Sequence, residues 1–166
     1  MRKLIPVLVL LPGILLAAEK SPDESFYKKA AEGGIAEVEQ GKLAQQKGQS
    51  KAVKDFGMMM VKDHTAANDR LKTLAAKKGI ELPSSSSMGQ MATKAKLEIL
   101  SGETFDKSYV KGMVKDHKED IEQFEQEAKN GKDAEARAFA SKTLPTLHAH
   151  LKMIEKIAAT SGVEVD

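Results

Sequence analysis

The pentapeptide Met-Val-Lys-Asp-His occurs twice in the chain, at residues 60–64 and again at residues 113–117. An aromatic residue lies four positions before each Met, and a large apolar residue lies seven positions after each His. Apolar residues at intervals of three and four continue on both sides of each copy, which is the spacing of one face of an α-helix. The repeat therefore predicts two equivalent helices, each with one histidine at the same level of its buried face.

Four long segments have this helical periodicity, and capping residues or glycines mark their ends. The predicted helices span residues 22–47, 50–78, 104–130 and 133–160. Gly48, Gly79 and Gly131 follow the first three segments, where glycine commonly ends a helix. A serine-rich connection over residues 79–91 and a short helix over residues 91–100 link the second long helix to the third. We therefore predict an all-α fold, a four-helix bundle with a long crossover between its second and third helices.

Two features interrupt the periodicity within the predicted helices. Gly33 and Gly34 lie inside the first helix, although each glycine costs about 1 kcal/mol there relative to alanine. A close approach of a second helix explains the pair, and a local kink is the alternative. Pro145 in the fourth helix has no amide hydrogen to donate, so a kink is predicted there.

The N-terminal residues have the organisation of a signal peptide. A basic start precedes an apolar stretch at residues 4–16, and Ala17-Ala18 offers a cleavage site. We expect residues 1–18 to be removed and residues 19–166 to form a single domain, periplasmic or secreted. The apolar stretch is too short for a comfortable transmembrane span, so the mature chain is predicted to have none.

Charge and cysteine content exclude several classes of function. Without Arg2 and Lys3 the formal net charge falls from +2 to 0, whereas nucleic-acid binding requires a basic face. The chain has no cysteine, which excludes disulfides, thiolate metal ligands and a lipid anchor on cysteine. We therefore predict no nucleic-acid partner, and a protein partner is left open.

Three histidines and one glutamate are the candidate metal ligands. His64 and His117 lie inside the apolar stripes of the second and third predicted helices, and His150 flanks the stripe of the fourth. Glu39 lies among the apolar residues of the first helix. One such ligand from each helix suits a single copper, zinc or iron ion. A methionine about one turn from each histidine adds a thioether, which favours copper.

A polar network without any metal is the alternative for the same residues. Buried imidazoles need hydrogen-bond partners, and Glu39, Asn68 or Tyr109 can supply them. In that case the protein is a non-catalytic structural or stress-related interaction module.

The usual signatures of catalysis are missing from the sequence. A di-iron carboxylate site needs Glu-x-x-His on two helices, but Val61 and Val114 occupy the third position before the histidines. Asp63 and Asp116 adjoin the histidines in sequence and are therefore expected to face solvent. With no nucleophile motif or phosphate-binding loop either, the sequence does not indicate an enzyme.

Together these motifs resemble those of an exported bacterial family of unknown function, numbered 4142, whose members are often labelled outer membrane proteins. The matching segments cover essentially the whole mature chain, at residues 33–39, 41–44, 60–64, 79–83, 105–106, 113–117, 143–147 and 150–151. The resemblance implies a ferritin-like helical bundle behind a signal peptide, with no established activity. Glu39, His64, His117 and His150 match motif positions, and we expect a metal-binding or metal-handling protein of the bacterial envelope.

Overall fold

The computed structural model describes residues 23–165, so the predicted signal peptide lies outside the described residues. Five helices make up most of this range: α1 (Glu24–Lys47), α2 (Lys51–Lys77), α3 (Met88–Ile99), α4 (Gly102–Asn130) and α5 (Ala134–Thr160). No β-strand is present between residues 23 and 165. The four long helices begin and end within two residues of their predicted positions, and α3 begins three residues earlier than predicted. The all-α fold class is confirmed.

The four long helices enclose two apolar clusters at opposite ends of the bundle. The Phe26 cluster includes Phe26, Tyr27, Leu71, Ile121, Phe124, Phe139 and Leu147. The Phe56 cluster includes Val53, Phe56, Met60, Phe105, Tyr109, Met113 and Ile154. Both α2 and α4 run from the Phe56 cluster towards the Phe26 cluster, whereas α1 and α5 run the other way. The hairpins α1–α2 and α4–α5 are thus antiparallel, and α3 crosses over between them, as predicted.

The turn between α1 and α2 is fixed by hydrogen bonds that α4 supplies. Ser50 is the N-cap of α2, and its hydroxyl accepts the amide of Val53. The buried carboxylate of Asp106 in α4 accepts the amides of Gln49 and Ser50, at 2.9 and 2.8 Å. Because backbone donors at a helix start need such acceptors, these bonds fix the level of α2 relative to α4.

Small residues let α1 and α2 approach each other closely. A Cβ atom on Gly41 would lie 2.8 Å from the carbonyl oxygen of Gly57, and one on Gly57 would lie 2.7 Å from the carbonyl oxygen of Gly41. A Cβ atom on Gly34 would collide with the side chain of Asn68. The predicted close helix approach is therefore confirmed at Gly34, and it decides which face of α1 is buried.

The fourth long helix continues through its proline. Pro145 lies inside α5, which is helical without a break from Ala134 to Thr160. Between residues 23 and 165, no helix combines the length and the apolar character that crossing a bilayer demands.

Candidate metal centre

Three histidines from three helices meet between the two apolar clusters. His64 of α2, His117 of α4 and His150 of α5 are all buried. One ring nitrogen of each lies within 4.8 Å of a ring nitrogen of the other two. The ring centroids are 5.3 to 5.8 Å apart. The two copies of the repeat thus bring their histidines to one level, and α5 adds the third.

A protein oxygen lies within hydrogen-bond distance of one nitrogen in each ring. The three contacts are His64 Nδ1 to Glu37 Oε2 at 2.7 Å, His117 Nδ1 to the Met113 carbonyl oxygen at 3.0 Å, and His150 Nε2 to Asp63 Oδ2 at 3.0 Å. A carbonyl oxygen can only accept, so His117 carries its proton on Nδ1.

Burial keeps the three rings neutral. It lowers the pKa of His64 to about 4 and that of His117 to about 3, and it also lowers the pKa of His150. A neutral ring has one N–H. The carbonyl oxygen of Met113 and the carboxylate of Asp63 accept those of His117 and His150, and Glu37 accepts that of His64 when it is ionised. The second nitrogens of His117 (Nε2) and His150 (Nδ1) bear lone pairs and are 3.4 Å apart, and Nε2 of His64 is buried without a hydrogen-bond partner.

Glu37, and not Glu39, is the carboxylate of α1 that reaches the histidines. Besides its contact with His64, Glu37 has its Oε1 atom 3.4 Å from Nε2 of His117 and without a hydrogen-bond partner. Glu39 lies at the partly exposed flank of α1, where its carboxylate is 3.9 Å from the ammonium of Lys94. The structure therefore brings three of the four predicted ligands together and leaves Glu39 outside the cluster.

The spacing of small residues is the sequence signal that identifies Glu37. The buried face of α1 includes Ala30, Gly33, Gly34, Glu37, Gly41 and Ala44. These residues face inward because α2 packs so closely there, whereas Ile35 and Leu43 are only partly buried. If the inward face of α1 is assigned from its large apolar residues, Ile35 and Leu43, the glutamate on that face is Glu39 and not Glu37.

Glu37 belongs to a buried group of acidic side chains. Asp120 of α4 forms a side-chain hydrogen bond with Glu37. Burial, and next the charge of Asp116, raises the pKa of Glu37 well above its usual value. Burial and the charge of Glu37 likewise raise the pKa of Asp120. A cation beside Glu37 would favour the ionised form of both groups.

Asp63 and Asp116 do not have the solvent-facing positions expected of them. Asp63 is partly buried and accepts the N–H of His150 on α5. Asp116 is also partly buried, and burial raises its pKa to about 6, against the lowering effect of Lys115. Each aspartate is turned towards the gap between two helices, because residues adjacent to an inward position lie at the edge of the buried face.

Large apolar side chains pack against the three rings on the side of the Phe56 cluster. The ring of Phe56 packs against those of His117 and His150, with centroids 6.2 and 6.4 Å apart. Met60 and Met113 are fully buried, one turn before His64 and His117. A cavity of about 20 Å³ beside His64 and Glu37 has room for a water molecule or an ion, and is far smaller than a typical substrate pocket.

The sequence matches the family described as a domain of unknown function, DUF4142, over residues 16–157. The chain belongs to the DUF4142 family. The match includes all three clustered histidines and, in α1, both Glu37 and the predicted ligand Glu39. No curated protein matches the sequence.

Solved structures with low sequence identity share the fold of this DUF4142 protein. A DUF305 protein from Streptomyces coelicolor, described as a candidate secreted protein, has 14% identity and a TM-score of 0.73, over 88% of this chain and 97% of that chain. A DUF305 fragment from Deinococcus radiodurans has 12% identity and a TM-score of 0.74, over 84% and 97%. CopM in its Cu(I)-bound form has 15% identity and a TM-score of 0.70, over 83% and 96%. These likenesses confirm the helical bundle.

Proposed function

We propose that this DUF4142 protein binds a single transition-metal ion between His64, His117 and His150. The observation that carries the proposal is the use of the ring protons. With Glu37 ionised, as a neighbouring cation would favour, each ring gives its one N–H to an oxygen of the protein and keeps one lone pair inside the buried layer. Histidines that bind metals are typically held in this way, with the second nitrogen bonded to a carboxylate or a carbonyl group.

The donor atoms fit a metal better than they fit one another. Nε2 of His117 and Nδ1 of His150 are 3.4 Å apart with no proton between them, so their lone pairs repel each other. In a trigonal set of ligands with metal–nitrogen bonds of about 2.0–2.1 Å, neighbouring nitrogens are about 3.5 Å apart. A cation would also stabilise His64 Nε2 and Glu37 Oε1, both buried without partners.

Copper in the cuprous state is the metal that we propose, although imidazole also suits zinc and iron. The ligands are neutral and buried, and the thioethers of Met60 and Met113 lie one turn from two of them. Soft sulfur near a site favours Cu(I) over harder ions. The structural neighbour CopM, described in its Cu(I)-bound form, has the same fold and supports this choice. A closed site of this kind suits storage or transfer of the ion.

Two observations support export of the protein as the setting for this role. The first is the signal-peptide pattern of residues 1–18, with an apolar stretch between a basic start and Ala17-Ala18. The second is the description of the Streptomyces coelicolor neighbour as a candidate secreted protein. We propose that residues 19–166 act as one domain in the periplasm or outside the cell.

Elemental analysis of protein purified without a metal-affinity tag tests the proposal. We expect near-stoichiometric copper in the wild type and its loss in the double variant His64→Ala, His117→Ala. The matched control is His148→Ala, because the side chain of His148 is 54% exposed and lies outside the cluster. If the wild type contained zinc or iron instead, and the double variant lost it, the three histidines would still be the binding site and only the choice of metal would change.

A polar network without metal is the second candidate, because each ring already has one hydrogen bond to a protein oxygen. This alternative predicts that the purified wild type contains no copper, zinc or iron. It also predicts that none of the three ions raises the thermal stability of the protein. That result would contradict the metal-binding proposal. A saturating ion should instead add about 2.7 kcal/mol at a hundredfold excess over its dissociation constant.

A further inference from the structure

The crossover helix α3 has an apolar face that points away from the bundle. Its one buried residue is Leu97, which packs in the Phe56 cluster. On the opposite side lie Met88, Met91, Ala92, Ala95 and Ile99, at helical spacing and all exposed. Met88 and Ile99 are each 83% exposed. We call these five residues the α3 stripe. Contiguous exposed apolar surface of this kind usually marks an interaction site.

The position of α3 on the bundle is fixed. The side chains of Ser87 and Gln90 form a capping box at its start. At its other end the ammonium of Lys47 donates to the carbonyl oxygens of Glu98 and Leu100. The α3 stripe is therefore presented outward by a held helix, and docking needs no rearrangement of the bundle.

Lysines accumulate on one side of the α3 stripe. A groove of about 600 Å³ between α3 and α4 is lined by four lysines and a single glutamate: Lys96, Lys111, Lys115, Lys118 and Glu119. Lys96 borders the α3 stripe, because it lies one helical turn after Ala92. The formal charge of the mature chain is 0 without Arg2 and Lys3, so this is a local basic surface on a neutral protein.

We propose that the α3 stripe and the adjacent lysine groove dock the protein on an anionic lipid surface. A helix with an apolar face bordered by lysines lies in the membrane interface, with its apolar side chains among the acyl chains and its ammonium groups at the phosphates. A second copy of this chain fits less well, because pairing two stripes would bring two lysine grooves together. The positive lysine groove is complementary in charge to anionic lipid headgroups and not to a second copy of itself, which favours the lipid surface.

Sedimentation with lipid vesicles tests this inference. The wild type and all variants are purified from cells in the same way, after any processing of the N-terminus. Any vesicle binding by the N-terminal residues is therefore the same in all of them. We expect binding to vesicles that contain phosphatidylglycerol, and much weaker binding to vesicles of phosphatidylcholine alone. The variant Met88→Gln, Ile99→Gln should bind at least about tenfold more weakly, since it removes the two most exposed apolar side chains. Met58→Gln on α2, 56% exposed, is the control and should bind as the wild type does.

A charge variant separates the lysine groove from the α3 stripe. Each lysine near an anionic surface contributes about 1 kcal/mol, so Lys96→Gln, Lys111→Gln should weaken binding about fivefold per lysine. Lys72→Gln, Lys77→Gln on α2 is the matched control. All four of these lysines are exposed, and circular dichroism checks the fold of each variant. Equal binding by the stripe variant and the wild type, or equal binding to both kinds of vesicle, would overturn the inference. A dimer that the stripe variant abolishes, without vesicle binding, would assign the stripe to self-association instead.

Discussion

The bundle contains two groups of buried carboxylates, and one of them includes a lysine. At the end of the bundle, the end cluster comprises Asp23, Glu127, Asp133 and Lys78. The Lys78 ammonium is 2.7 Å from Asp133 and 2.9 Å from Glu135. Burial alone would raise the pKa of Asp133, but Lys78 and two backbone N–H groups hold it below its usual value.

The middle cluster comprises Glu37 and Asp120 with the three histidines. Burial and neighbouring carboxylates raise the pKa of Glu37 and of Asp120, and in the described chain neither a lysine nor an arginine is among the groups that shift them. The histidines add lone pairs rather than positive charge, because burial keeps them neutral. The difference teaches that a lysine already accompanies the carboxylates of the end cluster, whereas the carboxyl groups of the middle cluster lie beside neutral ring nitrogens and become ionised most readily next to a cation.

The largest effect that we expect comes from removing the ionisable carboxyl group of Glu37 from the middle cluster. Glu37→Gln should weaken metal binding about 100-fold, because outer partners of ligating histidines change metal affinity by about 10–100-fold and Glu37 approaches two of the three rings. Glu39→Gln is the matched control two residues away, and its affinity should equal that of the wild type. Competition with a chelator measures both. A stronger effect of Glu39→Gln than of Glu37→Gln would mean that Glu39, the ligand predicted from the sequence, takes part in metal binding.

A smaller loss should follow when the partner of His150 is changed. Asp63→Asn leaves an amide that can donate to Nε2 of His150, which would move the ring proton to the nitrogen needed by the metal. We expect metal binding about tenfold weaker. Asp116→Asn, at the same position of the second repeat, makes no such contact with a ligand and should change affinity less. Equal losses for the two variants would show that the repeat matters and that the contact with His150 does not.

The repeat shows how much of the fold and site could be predicted from sequence. Helix ends are decided by local chemistry, such as the Ser50 cap and the glycine at 131, and the predicted ends of the four long helices are correct within two residues. The level of His64 and His117 follows from helical spacing alone. Such features depend on residues near one another in the chain, which is why they can be read without the tertiary structure.

The roles of the neighbouring acidic residues depend on contacts between helices. Asp63 and Asp116 have the same local sequence, yet Asp63 faces His150 on α5, and Asp116 interacts with Gln40 on α1. Glu37 is buried because α2 approaches the small residues of α1, a packing choice that hydrophobicity alone does not reveal. The sequence therefore predicts which level of the bundle is polar. Tertiary packing decides which carboxylates contact the histidines at that level.

Removing the lysine of the end cluster tests whether its positive charge is needed for stability. Lys78→Met keeps the apolar stem of the side chain and leaves Asp133 without its cation. We expect the free energy of unfolding to fall by about 1–2 kcal/mol, between the values for exposed and buried ion pairs. Urea unfolding measures it, with Lys51→Met as the control, because its pair with Asp55 is exposed. Metal binding by the middle cluster should be unchanged, and a loss there would show that the two clusters are coupled.

The smallest effect that we expect is a pH dependence of stability from Glu127 in the end cluster. Burial, followed by the charge of Asp23, raises the pKa of Glu127 from 4.5 to about 7. The folded state therefore keeps the proton at pH values where the unfolded state has lost it, so Glu127 lowers stability as the pH rises from about 4.5 through 7. Glu127→Gln retains a hydrogen-bond donor for Asp23 without the charge. The variant should be about 1 kcal/mol more stable than the wild type at pH 8, with the gap closing below pH 5.

Urea unfolding at intervals of pH measures this difference in stability. The control is Glu125→Gln, at an exposed position on the same helix, whose difference from the wild type should be constant with pH. Parallel curves for Glu127→Gln and the wild type would mean that Glu127 is ionised in the folded protein, and the end cluster would then hold more negative charge than its lysine balances.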